Sequence, residues 1–105
     1  MRIPVTFGGD VDPGDAVLIE GGSPAPPAMA VERFRLPENP LHGVGCACCA
    51  PRGPAAEALS RLFLARARGT GALFPRVVVI ASESGIAAVR AALAADPVIA
   101  GRFMK

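Results

Sequence analysis

Hydrophobic and polar positions follow two rhythms along this chain, and the change from one to the other marks its elements. Ile3-Pro4-Val5-Thr6-Phe7, stopped by Gly8-Gly9-Asp10, predicts a short first strand. Ala16-Val17-Leu18-Ile19-Glu20 is apolar, partly β-branched and bounded by glycines, which predicts a second. Residues 21–28 form a loop by composition, since the three prolines among residues 24–27 exclude a helix. Val31-Glu32-Arg33-Phe34-Arg35-Leu36 alternates apolar with polar residues, the mark of a half-exposed strand near a sheet edge, and Pro37 and Pro40 break it. From Pro54 the period lengthens. Ala55, Ala58, Leu59, Leu62 and Phe63 make one apolar stripe, Glu57 and Arg61 sit four apart on the other side, and Gly69 follows Arg66 and Arg68, so a helix is predicted over 54–68. Residues 76–81 contain four consecutive β-branched residues, Val77 to Ile80, the pattern of a parallel strand covered on both faces. Ser82 or Ser84 can cap a further helix with Ile86, Val89 and Leu93 inward, and Asp96-Pro97 ends it and starts a final turn through Phe103.

This order of strands and helices predicts an α/β fold, a small and mostly parallel sheet with flanking helices in a Rossmann-like arrangement. A chain of 105 residues with 51% hydrophobic and 19% charged residues is expected to fold as one domain, residues 1–105. The net charge of +2 is too small and dispersed to argue for a nucleic-acid partner. No apolar run reaches membrane-spanning length, and the opening residues lack the pattern of a signal peptide, so a cytoplasmic protein is expected.

In a reducing compartment an odd, clustered set of cysteines points to metal binding or redox chemistry rather than a disulfide framework. All three cysteines, Cys46, Cys48 and Cys49, fall within four residues, the sole histidine, His42, lies four residues upstream, and Gly43, Gly45, Pro51 and Gly53 flank the cluster. Thiolates are soft ligands suited to Zn(II) or a similar divalent ion. Adjacent side chains diverge, so Cys46 with Cys48 or Cys49 is the more natural chelating pair. His42 could add a nitrogen, and an acid such as Glu20, or a second molecule, would complete a tetrahedral site. The same atoms admit a redox reading through the C-x-x-C formed by Cys46 and Cys49, although residues 50–53 separate Cys49 from the helix start whose field would favour a thiolate. Free cysteines also serve as small buried hydrophobes. Asp10, Asp12 and Asp15 lack the spacing of an EF-hand loop and read as a solvated turn. The arginines read as surface residues, Arg52 being the one nearest the cysteines.

Gly45-Cys46-Ala47-Cys48-Cys49-Ala50-Pro51-Arg52-Gly53, the helix ending at Arg66-Ala67-Arg68-Gly69, the run Arg76-Val77-Val78-Val79-Ile80, and the stretch from Ser84-Gly85-Ile86 to Phe103 together resemble the CobW family of P-loop GTPases, its metal-delivery branch. The resemblance covers roughly residues 43–103. It implies a P-loop-type α/β fold, truncated here, and a metal-binding role for Cys46, Cys48 and Cys49. The nucleotide machinery does not carry over. After the first strand, where the family has its phosphate loop, stands Gly8-Gly9-Asp10-Val11-Asp12-Pro13-Gly14-Asp15, and the only lysine is Lys105. Ala81-Ser82-Glu83-Ser84-Gly85 replaces the family's Glu-Thr-Thr-Gly segment, and the guanine-reading N-K-x-D motif is absent. A metal-binding protein that is not an enzyme and binds no nucleotide is expected. A different class of function, a partner-binding or regulatory module, also follows from the resemblance, because the family's sheet continues beyond the position of Phe103; a shortened sheet would be covered by self-association or by a protein partner.

Overall fold

A computed structural model describes residues 2–36, 53–68 and 73–104 of the chain. Its strands are β1 (Ile3–Phe7), β2 (Ala16–Glu20), β3 (Ala30–Phe34), β4 (Val77–Ile80) and β5 (Phe103–Met104), and its helices α1 (Pro54–Arg68), α2 (Glu83–Ala95) and α3 (Pro97–Arg102). The strands form one sheet in the order β3-β2-β4-β1-β5, and every pairing is parallel. The fold is therefore α/β and Rossmann-like, as the alternation of elements predicts.

Side chains alternate across the sheet, and the alternation separates its two faces. Ile3 and Val5 from β1, Ala16 and Leu18 from β2, Phe34 from β3, Val77 and Val79 from β4 and Phe103 from β5 join Ala55, Ala58, Leu59 and Leu62 of α1, Val89 of α2 and Ile99 of α3 in one buried cluster. Each fully buried leucine, isoleucine or phenylalanine contributes about 1.5–3 kcal/mol by leaving water. All three helices thus lie on one face. Val17, Ile19 and Val78 point to the other face and are equally buried, which is why β2 and β4 read as unbroken apolar runs.

Handedness accounts for this division. The connections from β3 through α1 to β4, and from β4 through α2 and α3 to β5, move across the sheet in one direction. Those from β1 to β2 and from β2 to β3 move in the other, so right-handed crossovers put residues 8–15 and 21–29 on the face without helices. Arg33, whose side chain belongs to that face, accordingly donates from Nη1 to the carbonyls of Gly21 (3.0 Å) and Ser23 (2.7 Å).

The helix boundaries follow local chemistry. Ser82 is the cap of α2, its hydroxyl accepting from the Gly85 amide at 3.2 Å. Asp96 closes α2 by donating its amide to the Ala92 carbonyl, and opens α3 by accepting from the amides of Val98 and Ile99 at 3.0 and 3.3 Å, with Pro97 in the first turn. Arg66, in the last turn of α1, donates to the Phe74 carbonyl at 3.1 Å.

Four details differ from the sequence reading. The third strand starts at Ala30 and stops at Phe34, because its partner β2 supplies five rungs, from Ala16 opposite Ala30 to Glu20 opposite Phe34. Arg61 bonds across to Glu32 at 2.7 Å and to the Arg33 carbonyl at 3.2 Å instead of to Glu57 on its own helix. After α3 the chain adds the short strand β5 beside β1. The fourth difference concerns Asp15, which is buried rather than solvated: it accepts from Arg76 Nε at 2.9 Å and from the Asp12 amide at 3.0 Å.

Candidate functional site at the carboxyl edge of the sheet

In an all-parallel sheet the carboxyl ends of the strands gather on one edge, and ligands bind in the crevices there because the backbone turns away and leaves side chains and loops exposed. Phe7 is followed by Gly8 and Gly9 at φ 76° and 87°, and Glu20 by Gly21 at φ 80°, a backbone region that favours glycine. β3 runs out through Arg35 and Leu36, and α1 begins after Gly53, so both described neighbours of residues 37–52 adjoin this edge. His42, Cys46, Cys48 and Cys49 lie outside the described residues, as does Arg52.

Glu20, the acid named as a completing ligand, is described in full. Its Oε1 accepts from the Ser82 amide at 2.9 Å and from the Ser82 hydroxyl at 2.7 Å. These two bonds, led by that from the hydroxyl, hold its carboxyl below the ordinary value of 4.5 and keep it ionised. Ser82 therefore uses its proton on Glu20 and a lone pair on Gly85. Gly85 has to lack a side chain: a β carbon there would lie 2.5 Å from Glu20 Oε1 and 2.7 Å from the Ala81 β carbon. The carboxylate thus locks the end of β2 to the start of α2. As a metal ligand it fits through Oε2 alone, which makes no hydrogen bond among the described residues.

The opposite, amino edge is held by the buried Asp15. Arg76 Nη2 lies 2.9 Å from Asp15 Oδ2 and 3.1 Å from the Asp10 carbonyl. The Arg76 hydrogen bond, first among several causes, pulls the Asp15 carboxyl below its ordinary value of 3.8 against the opposing effect of burial. This arrangement ties residues 8–15 to β4 and commits Asp15 to an arginine, so the three aspartates do not make a hard-cation site. Among the described residues no three His, Cys, Asp or Glu side chains converge as a metal-holding group.

Sequence reading missed a cluster of arginines at the same carboxyl edge. Arg33 and Arg35, flanking the buried Phe34, meet Arg61 of α1 around a cavity of about 320 Å³. The one signal for it was the Arg-Phe-Arg triplet at the end of a strand, and its partner comes from a helix 26 to 28 positions away. A larger groove of about 570 Å³ runs between the first turn of α1 and the alanines of α2, with Asp96, Pro97 and Val98 at its end.

No family model, curated protein or solved structure matches the chain. Among the described residues no helix is long and apolar enough to cross a membrane.

Proposed function

We propose that this protein binds a divalent metal ion, zinc or one of similar softness, through Cys46, Cys48 and Cys49 with His42 as a nitrogen ligand, and that it serves metal delivery or homeostasis in the cytoplasm without hydrolysing a nucleotide. The observation that carries the reading is the clustering itself: every thiol and the single imidazole of the chain fall within eight residues, 42–49. Such a set supplies the sulfur and nitrogen donors of zinc sites. The position of Leu36 and Gly53 at the carboxyl edge, where α/β folds hold ligands, supports it further. A bound ion would be held by deprotonated thiolates, so affinity would fall as the solution is acidified.

Metal content of the reduced protein and competition against a chromophoric chelator, compared with a Cys46→Ala/Cys48→Ala double variant, tests this. Wild type is expected to bind zinc stoichiometrically and the variant to lose it. Equal, weak binding by both would show the reading to be wrong.

A further inference from the structure

Neighbouring parallel strands whose connections depart to opposite faces leave a crevice between their carboxyl ends. β2 and β3 are such a pair: from β2 the chain turns onto the face without helices, while the element after β3 is α1, on the helical face. The 320 Å³ cavity lies in that crevice, between Gly21 and residues 33–35 of the sheet and Pro54, Glu57 and Arg61 of α1. Three arginines, Arg33, Arg35 and Arg61, and one acid, Glu57, are among its lining residues.

Two of the three arginines are fixed by their own hydrogen bonds, Arg33 by the carbonyls of Gly21 and Ser23 and Arg61 by Glu32 and the Arg33 carbonyl. Arg33, held by neutral carbonyls, keeps its positive charge in place at the wall, whereas the charge of Arg61 is offset by the Glu32 carboxylate 2.7 Å away. Arg35 differs: it makes no hydrogen bond or ion pair among the described residues, and its Nη2 rests 3.3 Å from the point where a β carbon on Gly22 would sit. A guanidinium presents a planar fork of donors that matches the two oxygens of a carboxylate or phosphate. The amino-terminal turn of α1 faces the same cavity, so the partial positive charge of the helix end adds to that of the arginines.

We propose that this crevice binds a small oxyanion, a carboxylate or phosphate group, taken by the Arg35 fork beside the fixed positive charge of Arg33. The volume lies at the small end of ligand sites, about 300–1,000 Å³, which selects a compact ligand. The proposal does not rest on metal binding, and neither reading fails with the other.

Amide-detected NMR titrations of the full chain with inorganic phosphate, and in a second arm with succinate, both at ionic strength held constant with potassium chloride, test it. Saturable shifts are expected at Gly21, Arg35 and Ala55 with at least one anion, and the arm that responds identifies the group recognised. Arg35→Ala should weaken binding about tenfold, the equivalent of one charged hydrogen bond. Glu57→Gln should strengthen it, since a like charge leaves the wall. Absence of saturable shifts with both anions, or equal affinity in wild type and Arg35→Ala, overturns the proposal.

Discussion

Asp15 is a buried, arginine-paired carboxylate whose chemistry the chain does not advertise. Its neighbours Asp12, Pro13 and Gly14 have the composition of an exposed turn, and the distant Arg76, helped by the Asp12 amide, makes a buried carboxylate tolerable. No spacing rule links residues 61 positions apart, so the pair could not be read from sequence. It carries a pH dependence of definite sign. The folded carboxyl titrates below the ordinary 3.8, so the ionised group stabilises the fold above that value, and the contribution is lost as pH falls through the lowered folded value. Glu20, held below its ordinary 4.5 by Ser82, acts in the same direction. Asp15→Asn should lower stability at neutral pH by about 2 kcal/mol through loss of charged hydrogen bonds in a buried setting. It should also flatten the decline of stability below pH 4. Urea unfolding followed by circular dichroism across that range measures both, and an acid limb as steep as wild type would remove Asp15 from the explanation.

Among the elements, those encoded by local pattern were legible and those made by partners were not. α1 carries its stripe, its first-turn proline and its basic last turn within fifteen residues, and β4 announces itself by four β-branched residues. β5 has two residues and exists because Phe103 and Met104 come to lie beside Ile3 and Pro4; nothing within so short a stretch encodes a strand. The cysteine cluster was legible as composition, whereas the arginine crevice needed β3 and α1 to be brought together. What brings β5 into place is α3, six residues long and too short to persist alone. Its start is fixed by Asp96, and the Phe103 amide bonds back to the Ile99 carbonyl. Asp96→Ala should therefore cost about 1 kcal/mol, the usual value of a lost cap, and its effect should be local. Hydrogen exchange is expected to quicken at Val98, Ile99 and Phe103 while the β2–β4 ladder keeps its protection. Uniform acceleration across the sheet, or none anywhere, would show that α3 is not held in this way.

At the scale of the whole molecule the topology bears directly on nucleotide chemistry. Phosphate loops work because a strand feeds through a glycine-rich turn into a helix whose first amides face the phosphates. β1 feeds through residues 8–15 into another strand instead, with no helix between them. The Gly8 amide, first in line after the strand, is already committed to the Val79 carbonyl at 2.8 Å. Asp10, Asp12 and Asp15 follow it on the way to the amino edge, where Arg76 pairs with Asp15. A triphosphate at this exit would find no helix start following β1 and no phosphate-loop lysine, since the single lysine is Lys105. A cavity lined by arginines at the carboxyl edge, the crevice between β2 and β3, lies on the far side of β2 from β4 and β1. Two outcomes are expected from incubation with GTP and magnesium. Phosphate release should not exceed that of buffer, and any nucleotide binding seen by calorimetry should weaken about tenfold in Arg35→Ala, because the arginine crevice is the proposed anion site. Turnover would mean that the exit of β1 opens to admit phosphate despite the bond between Gly8 and Val79, and nucleotide affinity that survives loss of Arg35 would place the phosphate outside the arginine crevice.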